Sequence, residues 1–277
     1  MRWKSSSHPM VTQSHIGKTI ESAKFSAGGT RLRLFVCAAH QPEGTDALAP
    51  LVFSPVFSQR QVMTRTLIFD LSEVLIAGLL GIEKPLAARL QIDEQTVLSA
   101  FAGQLLEDLC CGRLSEDEYL ARILQRQQWE IAPSEVKRII RDNFHHRVPG
   151  MEELVSRLAR KHELILLSDH AAEWVAYIRG IHPWLSVFQA RFFSFELKQT
   201  KREPSSFRLV LDAIGRKPEQ CLLVDDRAPN LNAAASIGIP GIRFTSADML
   251  ARELTARGLL GQLLASPALP SVQQQKR

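Results

Sequence analysis

The chain has 277 residues, of which 45% are hydrophobic, so it can bury the core of one large domain or of two unequal ones. No apolar run approaches the roughly 20 residues that a membrane-spanning helix needs, so a membrane partner is not expected. Residues 1–62 hold seven Lys and Arg against three Asp and Glu and therefore carry most of the net charge of +5. They contain no basic run, so nucleic-acid binding is not expected either.

The segment 1–62 contains scattered Ser, Gly, Pro and His and lacks the periodicity that would bury a face. We therefore expect a mostly disordered N-terminal extension. It has no apolar core of signal-peptide length, and the four cysteines form no CxxC pair, which predicts reduced thiols in a cytoplasmic protein. Met63 directly precedes the first patterned segment and is a candidate translation start.

From residue 64 on, short apolar runs alternate with amphipathic stretches, which is typical of a parallel sheet covered by helices on both faces. Five of these runs predict strands, at residues 66–70, 164–169, 191–194, 221–226 and 241–245. The later helices are predicted at 151–161, 204–214, 229–237 and 247–257, the last three of them ending before a glycine. Residues 266–277 are expected to form a flexible tail.

The stretch between the first two predicted strands is helical in pattern throughout. A run of apolar residues at helical spacing predicts one helix that ends at Gly112; its members are Val97, Phe101, Leu105 and Leu109. Ser115 and Glu118 form a capping box that opens a second helix, and residues 134–143 predict a third. We expect a helical insertion at 78–145, within a core formed by 63–77 and 146–265.

Three predicted strands end in side chains that carry oxygen: Asp70, Ser168 with Asp169, and Asp225 with Asp226. Each Asp taken alone is more often a turn or cap residue. Because the carboxyl ends of parallel strands share one edge of the sheet, we expect these groups to converge. Carboxylates that crowd together repel unless a cation neutralises them, and Mg²⁺ prefers oxygen ligands. No His or Cys cluster with zinc spacing competes for a metal.

Four segments, taken in order, resemble the motifs of the haloacid dehalogenase superfamily of aspartate-nucleophile hydrolases. They are residues 68–75 (Ile-Phe-Asp-Leu-Ser-Glu-Val-Leu), 167–169 (Leu-Ser-Asp), 201–204 (Lys-Arg-Glu-Pro, followed by Phe207) and 224–226 (Val-Asp-Asp, followed by Asn230). The resemblance covers about residues 64–245. It implies an α/β fold, a Rossmann-like doubly wound sheet of five parallel strands, with a small helical cap inserted after the first strand as in subfamily I.

The resemblance implies a role for each matching acidic residue. Asp70 would be the nucleophile that forms an aspartyl-phosphate. The carboxylates of Asp70 and Asp226 and the backbone carbonyl of Ser72 would bind Mg²⁺, with Asp225 and Asn230 holding these ligands in place.

The remaining motif residues would bind the phosphoryl group. Ser168, Asp169 and Lys201 are the candidates, with Ser168 and Lys201 assigned to catalysis because they would hold the transferring oxygens. Lys198 is a nearby alternative to Lys201. His170 follows the second motif; a surface or capping residue is expected, and a side chain that reaches the crevice is the alternative.

Ser72 departs from the pattern of most phosphatases of this family, which place a second aspartate there as general acid and base. Such a proton transfer typically contributes about 10²- to 10⁴-fold in rate. The favoured interpretation is a slower or specialised phosphatase, with the proton supplied by substrate, water, Glu73 or a cap residue. A catalytically weak binding or regulatory protein is the main alternative. A metal-independent 2-haloacid dehalogenase is the third, although the Asp225-Asp226 pair argues for a cation.

A helical cap over the crevice would open and close, and it would favour small phosphorylated metabolites, such as sugar or nucleotide monophosphates, over protein substrates. The amphipathic cap helices and the segment 83–85 (Glu-Lys-Pro) are compatible with a homodimer. The sequence does not specify the substrate.

Overall fold

The computed structural model describes residues 66–261. It contains one sheet of five parallel strands in the order β3-β2-β1-β4-β5. The strands are β1 Thr66–Phe69, β2 Glu163–Ser168, β3 Ala190–Phe193, β4 Cys221–Asp225 and β5 Gly241–Arg243. The five-stranded α/β prediction is therefore confirmed. The predictions for residues 1–62 and 266–277, and Met63 with them, lie outside the described residues.

Eleven α-helices and two short 3₁₀ helices accompany the sheet in the described part of the chain. The α-helices are α1 Glu83–Leu90, α2 Glu94–Ala100, α3 Gln104–Cys110, α4 Glu116–Gln127, α5 Pro133–Phe144, α6 Met151–Leu158, α7 Ala172–Ile181, α8 Ser194–Leu197, α9 Pro204–Ile214, α10 Ala228–Ala235 and α11 Ala247–Ala256. The 3₁₀ helices are Pro183–Val187 and Pro218–Gln220. None of the helices within residues 66–261 is long and apolar enough to cross a bilayer.

The strands are apolar on both faces because helices cover both sides of the sheet. Leu67 and Phe69 of β1 point into the larger apolar cluster, which includes residues of α6, α7 and α11. Ile68, between them, points into a second cluster with Phe207 of α9 and Ala233 of α10. Phe69 pairs with Val224 in register, so the residues that follow in β1 and β4 lie at the same level of the sheet edge.

The prediction of a single helix from Val97 to Leu109 is wrong. The chain forms α2 and α3 instead, with a break at Gly103, whose φ is 81°. That left-handed backbone is readily adopted only by glycine. The carbonyl of Phe101 at the break accepts a hydrogen bond of 2.7 Å from the Tyr119 hydroxyl. The predicted capping box at Ser115, by contrast, is present at the start of α4.

Helices α1–α5 lie between β1 and β2 in the chain, and we call this segment, residues 83–144, the insertion. A buried ionic cluster joins it to α7 of the core. The Glu116 carboxylate, 2% exposed, accepts hydrogen bonds from Arg141 at 2.8 Å and from the Trp174 indole at 2.6 Å. Phe144 and Tyr119 pack edge-on against the Trp174 ring. The insertion is therefore attached to the core through Glu116 and Trp174.

We expect Glu116→Ala to destabilise the protein by about 3 kcal/mol, because it leaves the partly buried Arg141 guanidinium and the buried Trp174 indole N–H without an acceptor. The measurement is the free energy of unfolding in urea. The matched control is Asp117→Ala, since the Asp117 side chain is 79% exposed and its ion pair with Lys137 should contribute about 1 kcal/mol or less. Equal losses in the two variants would contradict the assignment of Glu116 as the buried anchor.

Candidate active site

The predicted acidic groups meet at the carboxyl edge of the sheet. Asp70 follows β1, Asp225 ends β4 and Asp226 follows it. One carboxylate oxygen from each lies within 4.8 Å of the others. The register of β1 and β4 explains this proximity, because it places Asp70 beside Asp225. The convergence predicted from strand ends is therefore present in the structure.

Lys201 lies at the centre of this group, in the loop before α9. Its ammonium group is 2.7 Å from Asp70 Oδ1 and 2.7 Å from Asp225 Oδ2, and the side chain is 1% exposed. Its backbone N–H donates to the Asp169 carboxylate at 3.0 Å. Lys201 thus connects the ends of β1, β2 and β4. Lys198, the alternative, does not line the cavity at this edge.

The site carries more negative than positive charge. Burial, together with the charges of Asp225 and Asp226, raises the pKa of Asp70 to about 7, although Lys201 acts in the opposite direction. Burial lowers the pKa of Lys201, but the neighbouring carboxylates have the larger combined effect. They hold the pKa of Lys201 above its usual value. Burial and Asp225 also raise the pKa of Asp226. One ammonium group does not balance three carboxylates, so an additional cation would relieve their repulsion.

The oxygens of Asp225 are already occupied by donors from the protein. Besides Lys201, Asn230 Nδ2 donates to them at 3.0 and 3.2 Å, and the backbone N–H of Arg227 donates at 2.9 Å. No side-chain hydrogen bond or ion pair within residues 66–261 reaches the Asp226 carboxylate. Asp225 and Asn230 are therefore placed to fix Lys201, whereas Asp70 and Asp226 keep oxygen atoms for a ligand.

Ser72 also offers an oxygen to the same space. Within the described chain, no N–H group donates to its backbone carbonyl, and the residue lines the cavity. The loop is tight here, since a Cβ at Gly78 would lie 2.7 Å from Cβ of Ser72. Two carboxylates and one carbonyl, all hard oxygen donors, suit Mg²⁺. The residues present thus fit the metal that the sequence suggests.

The favoured expectation for His170, a surface or capping residue, is wrong, and the alternative is correct, since the residue lines the cavity at the sheet edge. The residue is 2% exposed, and its ring packs edge-on against Phe144 and Trp174. Its Nε2 atom is 3.2 Å from the Ser72 hydroxyl. Burial, Lys201 and Arg141 lower the pKa of His170 to about 3, so the imidazole is neutral near pH 7. The sequence showed only that His170 follows a strand, and the direction of its side chain depends on packing by the insertion.

Ser168 and Asp169, the other predicted phosphate-binding residues, differ from Lys201 in their hydrogen bonds. Ser168 is fully buried, and its hydroxyl has no hydrogen-bond partner within residues 66–261. The Asp169 carboxylate accepts a hydrogen bond from the Lys201 backbone N–H. The backbone N–H of Asp169 is therefore the group of this residue that remains to bind an anion. Glu73, considered as a proton source, accepts hydrogen bonds from Gly78 and Leu80 at 2.8 and 3.2 Å. Its carboxylate thus holds the loop that follows.

A cavity of about 400 Å³ opens above these groups. Its floor is formed by polar side chains at the sheet edge, including Asp70, Lys201 and Asp226. The other side is formed by the insertion and the residues just before it, through side chains such as Leu98 and Phe101. The sequence pattern identified Phe101 as a member of an apolar helix face, but it did not single out Leu98 and did not show that either side chain would line a cavity.

Comparison with known proteins supports the same family. The family model described as haloacid dehalogenase-like hydrolase matches residues 64–238. The chain is 27% identical over 146 residues to flavin mononucleotide hydrolase 1, chloroplastic, of Arabidopsis thaliana. That match covers 53% of this chain and 59% of the relative, so the chain spans less than two thirds of the relative's length.

Two solved structures share the fold at low identity. A HAD family enzyme of Bacteroides thetaiotaomicron, in complex with magnesium and inorganic phosphate, is 20% identical with a TM-score of 0.55, covering 66% of this chain and 94% of the other. The L-2-haloacid dehalogenase of Xanthobacter autotrophicus is 19% identical with a TM-score of 0.53, covering 70% and 83%. Because the family model matches more than half of the residues, the chain belongs to the haloacid dehalogenase-like hydrolases.

Proposed function

We propose that this hydrolase is a Mg²⁺-dependent phosphatase that removes phosphate from a small phosphorylated metabolite through an aspartyl-phosphate on Asp70. The observation that carries the proposal is the charge imbalance at the sheet edge. Asp70, Asp225 and Asp226 approach one another within 4.8 Å, and within residues 66–261 the ion pairs to this group come from Lys201 alone, which contacts Asp70 and Asp225. A dianionic phosphate would add to this negative charge, so its binding there requires a cation.

The Asp70 carboxylate would act as the nucleophile. Its Oδ1 atom is held by the Leu71 N–H at 2.7 Å and by Lys201, which leaves Oδ2 for the substrate. Oδ2 would form a bond to phosphorus while the ester P–O bond breaks, and the alcohol would leave with the bonding pair and take up a proton. A water molecule would then attack the phosphorus and lose a proton, which releases phosphate and regenerates Asp70.

The other residues would position and stabilise the phosphoryl group. Lys201 is placed to counter negative charge on its oxygens, and the unpartnered Ser168 hydroxyl and Asp169 N–H lie at the same strand end. Asp70, Asp226 and the Ser72 carbonyl would hold Mg²⁺, with Asp225 and Asn230 fixing Lys201 behind them. Bound Mg²⁺ would offset the charge of the carboxylates and of the phosphoryl oxygens.

Two further features belong to the proposal. We place the catalytic core at 63–77 and 146–265, with 78–145 as a cap over the cavity. The Arabidopsis relative is named as a hydrolase of flavin mononucleotide, a phosphate monoester, which agrees with this substrate class.

The second candidate, a weakly catalytic binding protein, is favoured only by Ser72, which lacks a carboxylate for proton transfer. A folded protein that releases no phosphate from a broad panel of monoesters would favour it.

Asp70→Asn should reduce the release of phosphate from 4-nitrophenyl phosphate by at least about 10³-fold, because an amide is not a competent nucleophile. The assay measures phosphate colorimetrically in the presence of Mg²⁺. Asp212→Asn, the same chemical change at an exposed position on α9, serves as the matched control and should retain full activity. Retention of more than a tenth of the activity in Asp70→Asn would rule out this nucleophile.

Mg²⁺ should raise the melting temperature of the wild-type protein, because it binds the folded site but not the unfolded chain. In Asp226→Asn this increase should largely disappear, since the variant loses a carboxylate that has no side-chain hydrogen bond or ion pair within residues 66–261. The measurement is thermal unfolding with 5–10 mM Mg²⁺, roughly the range that tests weak sites, or with chelator. An unchanged Mg²⁺ effect in Asp226→Asn would place the metal elsewhere.

Ser72→Asp should raise kcat about 10- to 100-fold on an alkyl phosphate, whose alcohol needs a proton to leave, and much less on 4-nitrophenyl phosphate. Ser72→Ala is the matched control; it keeps the backbone carbonyl and should change both rates by less than about tenfold. Steady-state kinetics on the two esters provides the comparison. If Ser72→Asp leaves the ratio of the two kcat values unchanged, the absent carboxylate does not limit the reaction.

A further inference from the structure

We infer that the cavity selects phosphate monoesters whose alcohol is apolar and carries a ring, in preference to sugar phosphates of the same size. This inference rests on the proposed phosphatase function and specifies its substrate class. The group of side chains that carries it is termed the apolar wall. Its members are Leu79, Leu80, Leu98, Phe101, Leu106 and Trp174.

The apolar wall faces the region that the leaving alcohol would occupy. Apart from Glu107 and its neighbour Arg202, the polar side chains of the cavity lie at the sheet edge and in the loops that follow its strands, where the phosphate and Mg²⁺ would bind. From residues 79–144, the cavity receives no hydroxyl, amide or cationic side chain among the described residues. Glu107 is the single charged side chain in that stretch of the lining, and it lies 3.8 Å from Arg113 and 3.9 Å from Arg202.

This composition discriminates between alcohols. A sugar would exchange hydrogen bonds with water for contacts with hydrocarbon, and its hydroxyl groups would remain unsatisfied. An apolar ring would instead remove both its own surface and that of the wall from water. A cavity of about 400 Å³ is within the range that holds a ring-bearing ligand in other proteins.

The wall is also rigid where it is aromatic. Phe101 packs against Tyr119 and Trp129, with ring centroids 6.1 and 6.3 Å apart. Trp174 is held by Glu116 through a hydrogen bond of 2.6 Å. Because these rings are fixed before a ligand arrives, binding orders few side chains. Leu80, by contrast, is 56% exposed at the cavity and would be covered by the ligand.

The first test compares two esters of primary alcohols, 2-phenylethyl phosphate and glucose 6-phosphate, so that the basicity of the leaving groups is similar. We expect kcat/KM to favour 2-phenylethyl phosphate by at least about tenfold. Leu80→Gln and Leu98→Gln should each reduce this preference about fivefold or more. Leu209→Gln is the matched control, since Leu209 is 46% exposed and lies outside the cavity, and it should leave the preference unchanged.

The second test does not depend on turnover. Calorimetric titration of Asp70→Asn with each ester in the presence of Mg²⁺ should show at least about tenfold tighter binding of 2-phenylethyl phosphate. Equal binding, tighter binding of glucose 6-phosphate, or no binding of either ester would overturn the inference. If the wild-type protein hydrolyses both esters equally well, the inference fails and the phosphatase function stands. If it hydrolyses neither ester nor 4-nitrophenyl phosphate, the proposed function fails, and the titration alone decides on the apolar wall.

Discussion

The fold brings more carboxylates to the carboxyl edge of the sheet than Lys201 neutralises, and the rest of the site depends on this excess of negative charge. Parallel strands β1 and β4 end side by side and bring three carboxylates to the same edge, Asp70 after β1 and Asp225 with Asp226 at the end of β4. Lys201 pairs with two of them and is itself buried, so it is fixed in position. Burial, together with the charges of Asp225 and Asp226, raises the pKa of Asp70 to about 7. The unfavourable electrostatics at this edge is the physical basis for our proposal that the site requires a cation and binds an anion.

The rest of the molecule maintains this edge and limits access to it. Register between the strands sets the level of Asp70 and Asp225, and Asn230 fixes the Asp225 carboxylate from α10. The insertion is attached to α7 through the buried Glu116 cluster, which places its apolar side chains opposite the polar floor. One half of the cavity therefore suits a charged phosphoryl group, and the other half suits hydrocarbon. The division of the cavity into a charged half and an apolar half is the structural reason for the metal and the substrate class that we propose.

The sequence predicted the floor of the site better than its walls. Asp70 and Asp225 were predictable because their position at strand ends alone determines which edge they reach. The interruption at Gly103 was not predictable, because the apolar spacing continues through it from Val97 to Leu109. The burial of His170 and the location of Leu98 in the cavity lining depend on how the insertion packs against the core. Such tertiary contacts leave no trace in local periodicity.

The most direct test of the central claim is the anomalous diffraction of a crystal grown or soaked with Mn²⁺, a substitute for Mg²⁺ that prefers the same oxygen ligands. We predict a single strong peak within coordination distance of the Asp70 and Asp226 carboxylates and the Ser72 carbonyl. Ordered Asp70 and Asp226 side chains without a peak between them at saturating Mn²⁺, or a peak elsewhere, would contradict it.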